Sequence, residues 1–352
     1  MGPLDGATES RRATWSMAPG IERTLRMLVI VGLVALGVWT PAVITSAYWL
    51  GLLINAMILG LSAVSIGFLA HQSGLMMFGV SALTGGATYI YAIAITWFGL
   101  KALPASALTL AVATILFALV GALIVRARPL PFAMLTLALA QLLHSVVLIT
   151  DFRPVTGGDD GLALSYEGTF FGIGQAEMSR PESFWPVCWI AFCSMLALSW
   201  VLGRSRFGQV LSAIKANEER MRFSGYDTYT PRVLAFAFAG FIAAVAGLLS
   251  GFYTAFASPE LLDFSTGGNA LVAALIGGVG TLAGPALGAL LYVIGQDLFG
   301  ATGYLELLTG IGVALVIYLF PEGVIGFLRR ATTLFGRGGR APLSRSHGEA
   351  SR

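Results

Sequence analysis

Gly203-Arg204-Ser205-Arg206-Phe207-Gly208-Gln209-Val210-Leu211-Ser212-Ala213-Ile214-Lys215-Ala216-Asn217-Glu218-Glu219-Arg220-Met221-Arg222-Phe223-Ser224-Gly225, followed by a short turn to Thr230-Pro231, is a charged island between two apolar blocks. Phe207, Val210, Leu211, Ile214 and Met221 fall near helical spacing, so the island is expected to hold one short amphipathic helix. Glu218 and Arg222 stand four apart and are expected to pair on its wet face. Gly225 suits the helix stop, and Thr230 with Pro231 suits the start of the next helix. Two readings follow. The island is an ordinary loop between membrane spans, or it is a docking helix that takes force from a partner.

The flanks decide the class. Apolar residues make up 56% of the 352-residue chain, above the roughly 45–50% of soluble domains. Charged residues are 11%, under half the usual share of about 25%. The long, unalternating apolar runs mark an all-α polytopic membrane protein, since helices satisfy their own backbone groups in lipid. The net charge of +3 is not a nucleic-acid signal. Cys188 and Cys193 lie in one apolar run and read as packing residues. Thr45-Ser46-Ala47 resembles a peptidase site only faintly, and the run from Met27 reads as an uncleaved first span.

About ten transmembrane helices are expected, near 25–45, 47–70, 76–99, 105–125, 130–150, 184–202, 231–256, 268–281, 283–299 and 302–320, with the eighth short for a full crossing. Residues 1–24 are expected to be a disordered cytoplasmic N-terminus, 25–325 the transmembrane domain, and 326–352 a basic cytoplasmic tail. With the N-terminus in the cytoplasm, 18 of the 21 Lys and Arg residues fall on that side, leaving only Lys101, Arg153 and Arg180 outside. Such asymmetry predicts both termini inside and an even number of crossings. It also places 203–231 in the cytoplasm and the acidic loop 151–183 outside.

The chain lacks the usual tools of catalysis. Neither Lys101 nor Lys215 follows glycine, so no P-loop is present. Paired carboxylates, zinc-ligand spacing and a nucleophile elbow are also missing, and His71, His144 and His347 are scattered. The spans are almost free of charge, which argues against a carrier running on its own ion coupling. His144, with Gln141 one turn earlier, reads either as a packing histidine or as a polar pathway residue. Glycines interrupt the first half around Gly74, Gly79, Gly85 and Gly86, and the second from Gly277 through Gly278 and Gly280 to Pro285. Paired interruptions can mark a path between internal repeats. Five spans per half would give two inverted five-helix halves.

Several separated motifs resemble one family. They are Pro131-Phe132-Ala133-Met134-Leu135-Thr136-Leu137-Ala138 leading into Thr156-Gly157-Gly158-Asp159-Asp160-Gly161-Leu162, then Ser205-Arg206-Phe207-Gly208 through Ala213-Ile214-Lys215-Ala216-Asn217-Glu218, then Ile276 to Pro285, and Phe320-Pro321-Glu322-Gly323. In this order they resemble the permease subunits of bacterial branched-chain amino acid ABC importers, of the LivM type within the LivH and LivM superfamily. Ser73-Gly74-Leu75-Met76-Met77-Phe78-Gly79 keeps only the outline of the family's run in the first half. The resemblance implies a multi-pass inner-membrane subunit that is not an enzyme and binds no cofactor, metal or nucleic acid. It implies a second homologous permease subunit, two cytoplasmic ATP-binding subunits that hydrolyse ATP, a periplasmic substrate-binding protein and surrounding lipid. It assigns ATPase coupling to Arg206, Phe207, Gly208, Ile214, Lys215, Asn217 and Glu218. Ser73, Thr136, Gln141, His144, Gly278 and Gly280 become the candidate translocation path, and Thr156, Gly157, Gly158, Asp159 and Asp160 the periplasmic loop. Related systems carry leucine-type amino acids, other amino acids, urea or short amides. A self-powered secondary carrier and a membrane scaffold are the competing classes.

Overall fold

The structure is a computed structural model that describes residues 37, 39–43, 46–165, 169–170, 173–300 and 310–311. Ten helices carry the architecture. They are α1 (Ala47–Ser73), α2 (Val80–Thr96), α3 (Ala102–Ile124), α4 (Pro129–Val147), α5 (Pro181–Arg204), α6 (Arg206–Ala216), α7 (Glu218–Phe223), α8 (Tyr229–Thr254), α9 (Phe264–Gly277) and α10 (Gly284–Gly300). Five of them, α1, α3, α4, α5 and α8, are long and apolar enough to cross a membrane. The chain is therefore a multi-pass membrane protein. The expected spans near 25–45 and 302–320 fall almost wholly outside the described residues.

Burial separates these spans into a centre and a rim. The most apolar windows of α1 and α8 are 78% and 72% buried, against 22%, 28% and 11% for α3, α4 and α5. In water such exposed leucines would be costly; in a bilayer they are solvated by acyl chains. The central pair is antiparallel. The end of α1 meets α6 through Lys215 and the start of α8 meets α7 through Glu218, while the end of α8 meets the 151–178 loop.

Each central helix ends in a left-handed residue, Gly74 (φ 73°) for α1 and Ala255 (φ 52°) for α8. The chain then runs back into the protein before α2 and α9 begin, through 74–79 without helical bonding and through 255–263, where a short strand (Phe256–Ala257) and one 3-10 turn (Pro259–Leu262) replace α-helix. Partners are exchanged across the pair. α8 packs on α2 and α3, whereas α1 packs on α9 and α10. Ser65 donates to the Ala239 carbonyl at 2.6 Å and Thr88 to the Gly247 carbonyl at 2.8 Å, stitching α8 to α1 and α2.

Two expectations change, and the eighth segment is short as expected. The island holds two helices instead of one, because Asn217 turns extended (φ −161°, ψ 98°) and caps α7 through the Arg220 amide. The eighth segment is α9, 14 residues long. That length rises only about 21 Å, short of the roughly 30 Å core, and the stretch 255–263 leads into it from the end of α8. The break that follows α8, as 74–79 follows α1, is this stretch. Gly278 to Ala283 instead forms the corner between α9 and α10. Likewise, Gly85 and Gly86 lie inside α2.

Close helix approach depends on Gly247, where a Cβ would stand 2.0 Å from the Thr84 carbonyl oxygen. Gly247→Val should force α8 off α2 and destabilise by about 1–3 kcal/mol. Gly268 has open space around it, so Gly268→Ala should be neutral or slightly stabilising. Thermal unfolding in detergent compares the two.

Candidate functional site

A cavity of about 130 Å³ lies among α1, α2, α8, α9 and the re-entrant stretch. Its polar lining comes from Asn55, Ser62, Thr84, Ser250 and Thr266, and Leu261 closes one side. Hydroxyls here are tied back to their own chain. Ser62 donates to Ile58 at 3.3 Å, Thr84 to Val80 at 3.2 Å and Thr266 to Glu260 at 2.8 Å. Their acceptor lone pairs stay available, and Asn55 adds an exposed amide. No lining side chain is charged. Such a surface can solvate a small polar solute without holding an ion.

The cavity wall is clipped to the acidic loop. Leu162–Ala163 pairs antiparallel with Phe256–Ala257, Leu162 opposite Ala257 and Ala163 opposite Phe256. The Leu164 amide adds a 2.9 Å bond to the carbonyl of Ala255. Gly161 (φ 67°) makes this possible, since a Cβ there would sit 2.6 Å from the Ala257 carbonyl oxygen. Thr156 anchors the loop by donating to Val147 at 2.8 Å and accepting from the Gly158 amide. Gly157 also adopts positive φ. Asp160 pairs with Arg153 at 2.7 Å on the surface, which holds the guanidinium above its ordinary pKa. Asp159 is exposed.

The candidate path residues named from sequence do not line this cavity. Ser73 donates to Leu69 and accepts from the Leu75 amide, shaping the end of α1. Thr136 accepts from the amides of Phe78 and Gly79 at 3.1 and 3.4 Å, which pins the first break to α4. Gln141 is exposed and His144 half-buried on α4, Gly278 (φ 93°) ends α9, and Gly280 is exposed. Asn55, Ser62, Thr84, Ser250 and Thr266 were not singled out by sequence. The isolated amide of Asn55 within an apolar span was the one available signal.

The island is bound to both central helices. Ser205 caps α6 through the Gly208 amide, and Leu211 and Ile214 are buried. Gly208 passes so close to Gly203 that a Cβ would lie 2.2 Å from its carbonyl oxygen. Lys215 Nζ donates to the carbonyls of Ala70 and His71 at 3.0 and 2.9 Å, placing a cation on the C-terminal end of α1. Glu218 pairs with Arg232 on α8 at 2.8 Å, with the Arg232 side chain only 13% exposed. This replaces the expected Glu218–Arg222 pair: the longer-range arginine offers a less hydrated partner than one on α7's exposed face. The Asp227 carboxylate accepts from the amides of Tyr229 and Thr230 as α8 begins, and hydrogen bonding by Thr230 and Tyr229 holds its carboxyl below the usual range. Arg206 is exposed and Phe207 half-buried. Among the described residues, no three His, Cys, Asp or Glu side chains gather to hold a metal ion.

Long helices on a lipid-facing rim, a neutral polar cavity between two antiparallel spans and a charged helix bridging their ends describe a membrane permease. The chain belongs to the branched-chain amino acid transport system permease component family, which matches residues 48–321. It is 27% identical over 207 residues to the high-affinity branched-chain amino acid transport system permease protein LivH of Escherichia coli strain K12, covering 56% of this chain and 67% of LivH. It is 25% identical over 282 residues to LivM of the same strain, covering 73% of this chain and 65% of LivM. The ribose import permease protein RbsC of that strain is 27% identical over 251 residues, covering 68% of this chain and 73% of RbsC. No solved structure matches.

Lys215→Met should leave two carbonyls at the end of α1 without their charged donor. An expected loss of about 1–2 kcal/mol, with Lys215→Arg closer to the parent, is measurable by thermal unfolding in detergent.

Proposed function

We propose that the chain is the transmembrane subunit of an ABC importer that moves branched-chain or related amino acids across the bacterial inner membrane. Separate ATP-binding subunits hydrolyse ATP and dock on 205–226, a second homologous permease completes the passage, and a periplasmic binding protein delivers solute to the 151–183 side. Both termini lie in the cytoplasm. The observation that carries this reading is the attachment of one segment to both central helices, through Lys215 to α1 and Glu218 to α8. A push on α6 therefore reaches both sides of the cavity. Phe223 (85% exposed) and Tyr226 (57%), beside Arg220 and Arg222, offer the island's outer tip to a partner.

The exchanged packing of α1 and α8 supports a pair of inverted halves. The uncharged lining favours a neutral or zwitterionic solute and gives a self-powered carrier no ionisable group to use. Similarity to both amino-acid and ribose permeases fits such a lining, so short amides or urea remain the alternative cargo of the same machine.

Glu218→Lys sets a like charge against Arg232, and Gly208→Leu breaks the α5–α6 contact. In proteoliposomes of the complete transporter, both should keep ATP hydrolysis while leucine uptake drops about tenfold or more. Unchanged uptake in both would remove the lever. Cysteines at Ala163→Cys and Phe256→Cys, directly opposed across the strand pair, should join on oxidation. Uptake should then stop and return on reduction, because the cavity wall is locked to the loop.

A further inference from the structure

The cavity has two ends of different chemistry. The register of the antiparallel pair α1 and α8 places them. Ser65 bonds to Ala239, and a Cβ on Gly51 would stand 3.0 Å from the Tyr253 hydroxyl. Asn55 and Ser250, about as far along each helix from the Ser65–Ala239 bond, therefore share one level on the side of the acidic loop. A Cβ on Gly247 would stand 2.0 Å from the Thr84 carbonyl oxygen, so Thr84 lies about one turn closer to the island. Thr266 adjoins Gly267, where a Cβ would stand 2.9 Å from the Ser81 hydroxyl, one turn before Thr84. Ser62 lies further in, about 10 Å from Asn55 along α1.

The two levels differ in what their side chains have left to offer. Thr84 directs its proton to the carbonyls of Val80 and Ser81, Thr266 to Glu260 and Ser62 to Ile58. Their oxygens can therefore only accept. Among the described residues, no hydrogen bond engages the side chain of Asn55 or Ser250, and both line the cavity. Asn55 keeps two N–H donors and Ser250 its O–H. Donors thus lie on the loop side and acceptors on the island side. A carboxylate needs donors, and an ammonium needs acceptors. Each is costly to leave unpaired away from water, so a zwitterion satisfies both levels in one orientation only.

We infer that Asn55 and Ser250 receive the carboxylate of an amino-acid solute, while Thr84 and Thr266 accept from its ammonium, so that the amine leads toward the island. This rests on the amino-acid importer reading and adds to it a recognition residue, Asn55, and a direction of travel for the solute. Ser62 is the next acceptor the ammonium meets on the way in. A sugar, with a donor and an acceptor on every hydroxyl, gains no preferred orientation from such a lining.

The test uses the complete transporter in proteoliposomes. Ile58 lines the cavity, and Ile58→Cys combined with Cys188→Ala and Cys193→Ala gives this chain a single reporter thiol. Its reaction with methyl methanethiosulfonate, followed by mass spectrometry, should be slowed by leucine. Asn55→Leu should raise the half-protecting leucine concentration about tenfold or more, and Asn55→Gln by no more than about threefold. Isoamylamine has leucine's side chain and ammonium without its carboxylate, so its half-protecting concentration should not move in Asn55→Leu. Thr84→Val should raise the value for both compounds. Equal shifts for leucine and isoamylamine in Asn55→Leu would overturn the assignment, as would equal losses in Asn55→Leu and Asn55→Gln. A parent that imports leucine but shows no protection would overturn the inference and leave the importer standing. A parent that imports no leucine would remove the amino-acid reading together with the inference.

Discussion

Hydrocarbon offers no hydrogen bonds, so every backbone group that leaves a helix within the membrane needs a partner from the protein. This constraint governs the two breaks that follow α1 and α8. The first is satisfied by side chains: Ser73 takes the Leu75 amide, and Thr136, reaching from α4, takes those of Phe78 and Gly79. The second is satisfied by backbone, through the short pairing of 162–163 with 256–257 and the Leu164–Ala255 bond. Each break is thus held by an element distant in sequence. The cost of an unsatisfied amide makes these attachments obligatory, and they in turn fix where α2 and α9 start and where the cavity lies.

The charged island between α5 and α8 uses charge for a similar purpose. An exposed ion pair contributes little, but Arg232 is largely buried, and losing Glu218 would strand its charge. Lys215 meets carbonyls that have no intrahelical donor at the end of α1. Both contacts therefore hold firmly at the two places where the central helices emerge. A segment attached at only one of them could tilt a single wall; attachment at both makes it able to change the spacing between them.

Much of this was legible in the sequence because lipid imposes simple rules. Hydropathy located the eight apolar helices of the described region within a few residues, and the island stood out by charge alone. Glu218 was noticed, but spacing rules see only the same helix and offered Arg222 in place of Arg232. The re-entrant stretch was hidden because Phe256 and Ala257 extend the apolar run of α8 without a glycine to mark the break; Ala255 takes the left-handed conformation itself. The cavity hydroxyls were hidden for a different reason. Ser62 and Thr84 bond to their own helices as any intramembrane serine or threonine does, and only three-dimensional convergence sets them apart.

The two breaks also open toward opposite ends of the molecule, 74–79 beneath the island and 255–263 beneath the acidic loop. On the transport reading, this gives the cavity two closures with independent anchors. A partner pulling on the loop acts on the Leu162–Leu164 clip without touching Thr136. Movement of α6 acts at Gly74, where a Cβ would stand 3.1 Å from the Lys215 Cγ, without touching the clip. The cavity lining offers no charged side chain to hold an ion that could synchronise these events. Their order must then be imposed through α8, which runs from the Arg232–Glu218 contact to the clip, and through α1 packed along it.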